Sequence, residues 1–177
     1  MQLRHYQQDA IDAVLKNESQ FGKQLVVMPT GAGKTICFAA LAQHKLPSRT
    51  LVLADKEKLV EQACEKIEQS TGMIAGREQA QYKADHDNAI VVSSVQTMIN
   101  RLGKWPKNRF DTVVVDEAHH CVADMWQEVL GHFDNHAKVV GFTATPFRSD
   151  KRELGSYFEE VSYEIGLKTL IDDGVLC

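Results

Sequence analysis

Apolar positions along the chain follow two different periods, and each marks a different kind of element. Leu3, Tyr6, Ala10, Ala13 and Val14 recur at three- and four-residue intervals, which predicts a helix over roughly residues 2–18. Phe21-Gly22 ends it. Residues 24–28 form a short apolar run, the mark of a buried strand. After a glycine-rich turn, residues 36–42 are apolar all round, as in a buried helix. A strand is predicted at 50–54, then a helix with Leu59, Val60, Ala63, Cys64 and Ile67 on one face. Residues 77–88 are polar and read as a loop or surface helix. Strands follow at 89–92 and 112–115, then a helix carrying Val122, Met125, Trp126, Val129, Leu130 and Phe133 on one side. A strand at 138–142 completes the clear core, and the stretch from 160 onward reads as a strand and then a helix.

Strands alternating with helices predict an α/β fold: a mostly parallel sheet with helices on both faces. A length of 177 residues suits one such domain, and no repeat or low-complexity segment divides it. The 44% hydrophobic and 25% charged content excludes a disordered chain, a collagen-like fibre and a disulfide scaffold. The net charge of −4 denies the surface a general basic coat, so any nucleic-acid contact must come from local groups. No apolar run approaches the ~18 residues of a membrane helix. The N-terminal segment lacks the apolar core and cleavage site of a signal peptide. Cys37, Cys64, Cys121 and Cys177 have no metal or redox spacing and read as reduced thiols of a cytoplasmic protein.

The strongest local signal is Pro29-Thr30-Gly31-Ala32-Gly33-Lys34-Thr35, which follows a predicted strand and opens a predicted helix. Glycines there let backbone N–H groups turn inward around phosphate oxygens, and the helix start adds partial positive charge. Lys34 would reach the β- and γ-phosphates, and the Thr35 hydroxyl would hold Mg²⁺. The usual pattern has glycine where this chain has Met28. The alternative is a tight strand-to-helix turn with an exposed lysine. A second apolar strand ends in Asp116-Glu117. Parallel sheets present ligand groups at the carboxyl ends of their strands, which would set Asp116 beside the magnesium and Glu117 beside an attacking water. Read alone, the two acids could instead cap the helix that follows.

Together, Met28 to Thr35 (MPTGAGKT), Asp116 to His119 (DEAH) and Gly141 to Arg148 (GFTATPFR) resemble the first RecA-like domain of a superfamily 2 helicase or translocase. The resemblance covers nearly the whole chain. It implies a RecA-like P-loop NTPase domain over residues 1–177, ATP and Mg²⁺ as cofactors, and nucleic acid as partner. Gln7, with Arg4 nearby, would meet the adenine; Thr30, Gly31, Ala32, Gly33, Lys34 and Thr35 would cradle the phosphates. Lys34, Asp116, Glu117 and His119 would carry catalysis, with Thr35 and Asp116 on the metal. Lys56, in a segment like motif Ia, and Ser94, Gln96 and Thr97 would lie along a strand of nucleic acid, although Asp55 or Ser94 could simply cap a helix. Thr143 and Thr145 resemble motif III, which links the two sites, and His119 would face it, while His120 would pack or meet solvent.

Thr-Ala-Thr-Pro with Phe147-Arg148 resembles DNA translocases of the restriction-subunit and RadD-like kind, so DNA is favoured over RNA. Family members use a second RecA-like lobe that supplies arginines to the γ-phosphate. This chain is therefore expected to be a lobe of a longer protein, binding ATP weakly and hydrolysing almost none alone. The alternative is a nucleotide-dependent binding or regulatory lobe that never translocates. Two weaker signals complete the reading. Arg101, Lys104, Lys107 and Arg109 surround Trp105 and could contact a strand or form a solvated connection. His132 and His136 have metal-pair spacing but no partner ligands, and are expected on the surface.

Overall fold

The computed structural model describes residues 1–144 and 154–177. Its elements are α1 (His5–Asn17), β1 (Lys23–Val27), α2 (Lys34–His44), β2 (Thr50–Ala54), α3 (Glu57–Thr71), β3 (Gly76–Glu78), β4 (Ile90–Ser94), α4 (Val95–Asn100), β5 (Thr112–Val115), α5 (Asp124–Phe133), β6 (Lys138–Thr143), β7 (Glu160–Glu164) and α6 (Leu167–Asp172). Among the described residues, seven strands form one sheet in the order β3-β4-β2-β5-β6-β1-β7, and every pairing is parallel.

Successive strand residues point to opposite faces, so each central strand feeds two cores. Val26, Val52 and Val114 join the apolar cluster with α1, α2 and α3. Leu25, Val27, Leu51, Leu53, Val113 and Val115 join the other, with α5, Trp105 and Phe110. Burial on both faces is why these strands read as unbroken apolar runs rather than alternating ones. Gly141 in β6 permits a close approach: a Cβ there would lie 2.5 Å from the Phe158 ring and 2.8 Å from the Ala118 Cβ.

The polar stretch 77–88 departs from expectation. It begins in β3, a three-residue edge strand whose sequence, Gly-Arg-Glu, hides it. Glu78 is fully buried and accepts hydrogen bonds from Arg101 Nη1 (2.7 Å), Lys104 Nζ (2.8 Å) and the Ala84 N–H (2.8 Å). Two cations of the basic run are therefore committed inside the fold. Arg109 is also buried; it donates to the carbonyls of His86 and Asn88 and packs on Trp105 and Phe110. Arg101, Lys104 and Arg109 are thus neither strand contacts nor a solvated connection but staple the β3–β4 crossover to the second face, while Lys107 is exposed. His132 is half-buried with Nε2 2.7 Å from the Trp105 carbonyl, whereas His136 is exposed beside Asp111. The short helix α4 was not foreseen.

Because the strands all run the same way, the carboxyl ends of β1, β2, β4, β5 and β6 open on one edge. That edge carries the glycine-rich loop, Asp55, Ser94, Asp116 and Thr143.

Candidate nucleotide site

The loop between β1 and α2 turns through Gly31 and Gly33, both at φ +84°, a left-handed conformation open to glycine at little cost. A Cβ on Gly33 would also lie 2.5 Å from Gln7 Nε2. Met28 is fully buried, with its sulfur 3.9 Å from the Cys37 sulfur, so a core side chain anchors the loop where many such loops have glycine. Burial pushes the Cys37 thiol up to about 12, keeping it protonated and inert. Lys34 opens α2 and folds its Nζ back to the Met28 carbonyl at 3.4 Å; Thr35 follows, half-buried.

The start of α1 braces this loop. Tyr6 OH and Gln7 Nε2 both donate to the Ala32 carbonyl, at 2.8 and 3.0 Å, and the Arg4 N–H donates to Gln7 Oε1 at 2.9 Å. Gln7 is buried, with both ends of its amide engaged on the protein. The residue expected to meet adenine thus also sets the position of the glycine loop. Arg4 is exposed at the helix start.

Beyond β5, the Asp116 N–H bonds the Leu53 carbonyl and Asp116 Oδ1 accepts the Glu117 N–H, both at 3.0 Å. Glu117 sits at φ +52°, a left-handed conformation that costs a non-glycine residue about 1–3 kcal/mol. His119 Nδ1 lies 3.4 Å from Thr143 Oγ1 and 3.5 Å from Glu117 Oε2. His120 does more than pack: its Nε2 is 3.5 Å from Asp55 Oδ2, and its ring stacks near His119 and Trp126. A polar row therefore crosses three neighbouring strand ends, from Thr143 through the two histidines to Asp55. The repeated histidine after Asp116-Glu117-Ala118 was the available signal for this bridge.

Ser94 caps α4, accepting the Thr97 N–H at 3.2 Å and donating to Thr97 Oγ1 at 3.0 Å, so the capping alternative is realised there. Lys56 and Gln96 are exposed and Thr97 is half-buried. Thr145, with Phe147 and Arg148, lies outside the described residues. A cleft of about 470 Å³ opens beside the loop, lined by Arg4, Tyr6, Gln7, Gly31, Gly33 and Thr35 among others, and by Gln62 and Lys66 of α3. Sequence reasoning gave neither of the last two a place at the nucleotide: Gln62 ends the motif Ia-like segment, and Lys66 lies beyond it.

The family model for the res subunit of Type III restriction enzymes (ResIII) matches residues 1–148. The chain belongs to the ResIII family. It is the first RecA-like domain of a superfamily 2 helicase. IRC3 of Saccharomyces cerevisiae, by its name a candidate ATP-dependent helicase, is 35% identical over 192 residues, which cover 99% of this chain and 28% of that protein. The fragment structure of a candidate HsdR subunit of a type I restriction enzyme from Vibrio vulnificus YJ016 superposes with a TM-score of 0.76 at 26% identity, covering 97% of this chain and 32% of that one. The Hef helicase domain of Pyrococcus furiosus shares the fold, with a TM-score of 0.74 at 24% identity over 92% of this chain and 38% of that one. The chain spans about a third of the length of these relatives.

In this ResIII domain, burial and the neighbouring Glu117 push the Asp116 carboxyl above its ordinary range, partly offset by the Glu117 N–H and the Lys34 charge. A carboxyl raised in the folded state contributes stability that is present below its unfolded pKa and lost as pH rises through the folded value. Asp116→Asn, which keeps the acceptor for the Glu117 N–H, is therefore expected to stabilise the ligand-free domain at pH 7 by about 0.5–2 kcal/mol. Thermal unfolding at pH 7 and pH 4 checks this: the gain should shrink in acid, and a loss of stability at pH 7 would contradict it. No described helix of the domain is long and apolar enough to cross a membrane.

Proposed function

We propose that this ResIII domain binds Mg²⁺–ATP where β5, β6 and β1 end side by side and serves as the hydrolytic lobe of a nucleic-acid-driven motor. One observation carries the reading: the sheet order brings the Lys34 loop, Thr143 and the Asp116–Glu117 pair to adjacent strand ends, with Lys34 and Asp116 in electrostatic reach. Lys34 and the loop amides neutralise the triphosphate. The Thr35 hydroxyl and Asp116 carboxylate are hard oxygen donors of the kind Mg²⁺ takes, and among the described residues no larger ligand cluster competes for it. Thr35 and Asp116 would hold the ion, which when bound would supply charge neutralisation for phosphoryl transfer.

Glu117 orients the attacking water and accepts its proton. His119, touching both Glu117 and Thr143, ties hydrolysis to the state of the adjoining segment, where Thr145 would also act. Lys56, Gln96 and Thr97 stand at the ends of β2 and β4 and form the nucleic-acid side of the edge, their contacts falling on the backbone rather than the bases; Ser94, buried and capping α4, holds that segment in place. A second RecA-like lobe in cis supplies arginines, worth ~10³–10⁵ in rate. DNA is the favoured substrate, supported by the Thr143-Ala144-Thr145-Pro146 segment and by the restriction-enzyme family and HsdR relative. The free buried thiols suit a reducing compartment such as the cytoplasm.

The test is ATP turnover by the full-length protein with no nucleic acid, with DNA and with RNA. Stimulation greatest with DNA supports the motor; equal rates in all three would make the domain a nucleotide switch. Greater stimulation by RNA would reverse the substrate assignment alone.

A further inference from the structure

The nucleotide cleft has one wall that the nucleotide motifs do not announce. Helix α3 packs beside α2, and its buried face is Val60, Ala63, Cys64 and Ile67. Gln62 and Lys66, one turn apart, lie off that face; both are exposed and both line the cleft across from Arg4 and Gln7. The same cleft is lined by Gly31, Ala32, Gly33 and Thr35 of the glycine loop, so it joins that loop to Arg4 and Gln7. Gln62 and Lys66 thus share one cleft with the glycine loop and with Arg4 and Gln7, the residues expected at the adenine. Among the described residues the Lys66 ammonium forms no ion pair or side-chain hydrogen bond. A cation left unmatched at the mouth of a cleft is available to a ligand.

We propose that Gln62 and Lys66 hold the nucleoside half of ATP and so set the preference for a nucleotide over a bare polyphosphate. The proposal rests on the reading that the Lys34 loop holds the phosphates. The Gln62 amide offers a donor and an acceptor, and the Lys66 ammonium offers donors only. Together they match sugar hydroxyls and base ring nitrogens. Both side chains are flexible and solvated, so each contact is modest.

Binding of two probes by the full 177-residue chain separates the outcomes. The probes are Mg²⁺–ATP and Mg²⁺–tripolyphosphate, which shares the phosphates but lacks the nucleoside. Lys66→Ala and Gln62→Ala are each expected to weaken ATP binding about 3–10-fold and leave tripolyphosphate binding unchanged. Lys66→Gln, which keeps a donor without the charge, should recover part of the loss. Lys34→Ala should weaken both probes. Equal losses on both probes for Lys66→Ala would reduce Lys66 to background charge, and no loss on either would leave the α3 wall unused. Each result overturns the proposal while sparing the phosphate loop. If Lys34→Ala weakens neither probe, or the unaltered chain binds neither, the phosphate reading falls and this inference with it.

Discussion

Lys34→Ala is expected to weaken Mg²⁺–ATP binding by about 10–150-fold, the effect of losing a hydrogen bond to a charged group worth about 1.5–3 kcal/mol. The ammonium contributes little to the fold. Its one hydrogen bond among the described residues is a long one, 3.4 Å to the Met28 carbonyl, and it pairs with no carboxylate there. Loss of the side chain should therefore move stability by no more than about 0.5 kcal/mol. Isothermal titration with ATP, alongside thermal unfolding, reads both quantities on the same sample. Weak binding with an intact fold is the signature of a phosphate contact. Unchanged affinity would place the phosphates away from the loop, and a collapse of stability would make Lys34 a structural residue.

Glu78→Ala is expected to produce the largest loss of stability, about 2–4 kcal/mol. The carboxylate is fully buried and holds Arg101, Lys104 and the Ala84 N–H; its removal leaves one buried donor without an acceptor and two cations without their counter-charge, although Arg101 keeps the Ala80 and Tyr82 carbonyls and Lys104 the Ala84 carbonyl. The value falls short of that for a wholly buried ion pair because Arg101 and Lys104 keep 23% and 29% side-chain exposure and can be partly rehydrated. Burial pushes the Glu78 carboxyl up, but the bonds from Lys104, Arg101 and Ala84 outweigh it and hold the group below its ordinary range. A carboxyl lowered in the folded state contributes stability that is present above its unfolded pKa and lost as pH falls through the folded value. The variant should thus lose least, relative to the unaltered chain, in strong acid. Thermal melts from pH 7 downward test it: at pH 7 the midpoint should drop by about 5–15 °C, and a pH-independent difference would rule out the charge as the cause. Glu78 and Asp116 pull in opposite directions, one stabilising the fold by being ionised and the other by being neutral.

Much of the fold was legible because burial on both faces of a parallel sheet leaves long apolar runs. The strands at Thr50–Ala54 and Thr112–Val115 fall where the runs place them. The glycine loop was legible for a related reason: backbone turns with φ above zero demand glycine, so Gly31 and Gly33 write their geometry into the chain. The edge strand β3 was invisible because its three residues owe their place to Glu78, whose burial depends on cations more than twenty positions away. The basic run at 101–109 misled for the same cause; charge density shows in the chain, but whether a charge faces water or a buried carboxylate does not.

Local order along the chain thus settled the class of fold, the glycine loop and the acidic strand end, since each follows from neighbours within a few residues. Only the folded sheet decided which strand ends adjoin, that Gln7 braces the Ala32 carbonyl, that His120 reaches Asp55, and that α3 turns Gln62 and Lys66 into the cleft. Those contacts join groups far apart in the chain, and their energies exist only after the backbone entropy of bringing them together has been overcome.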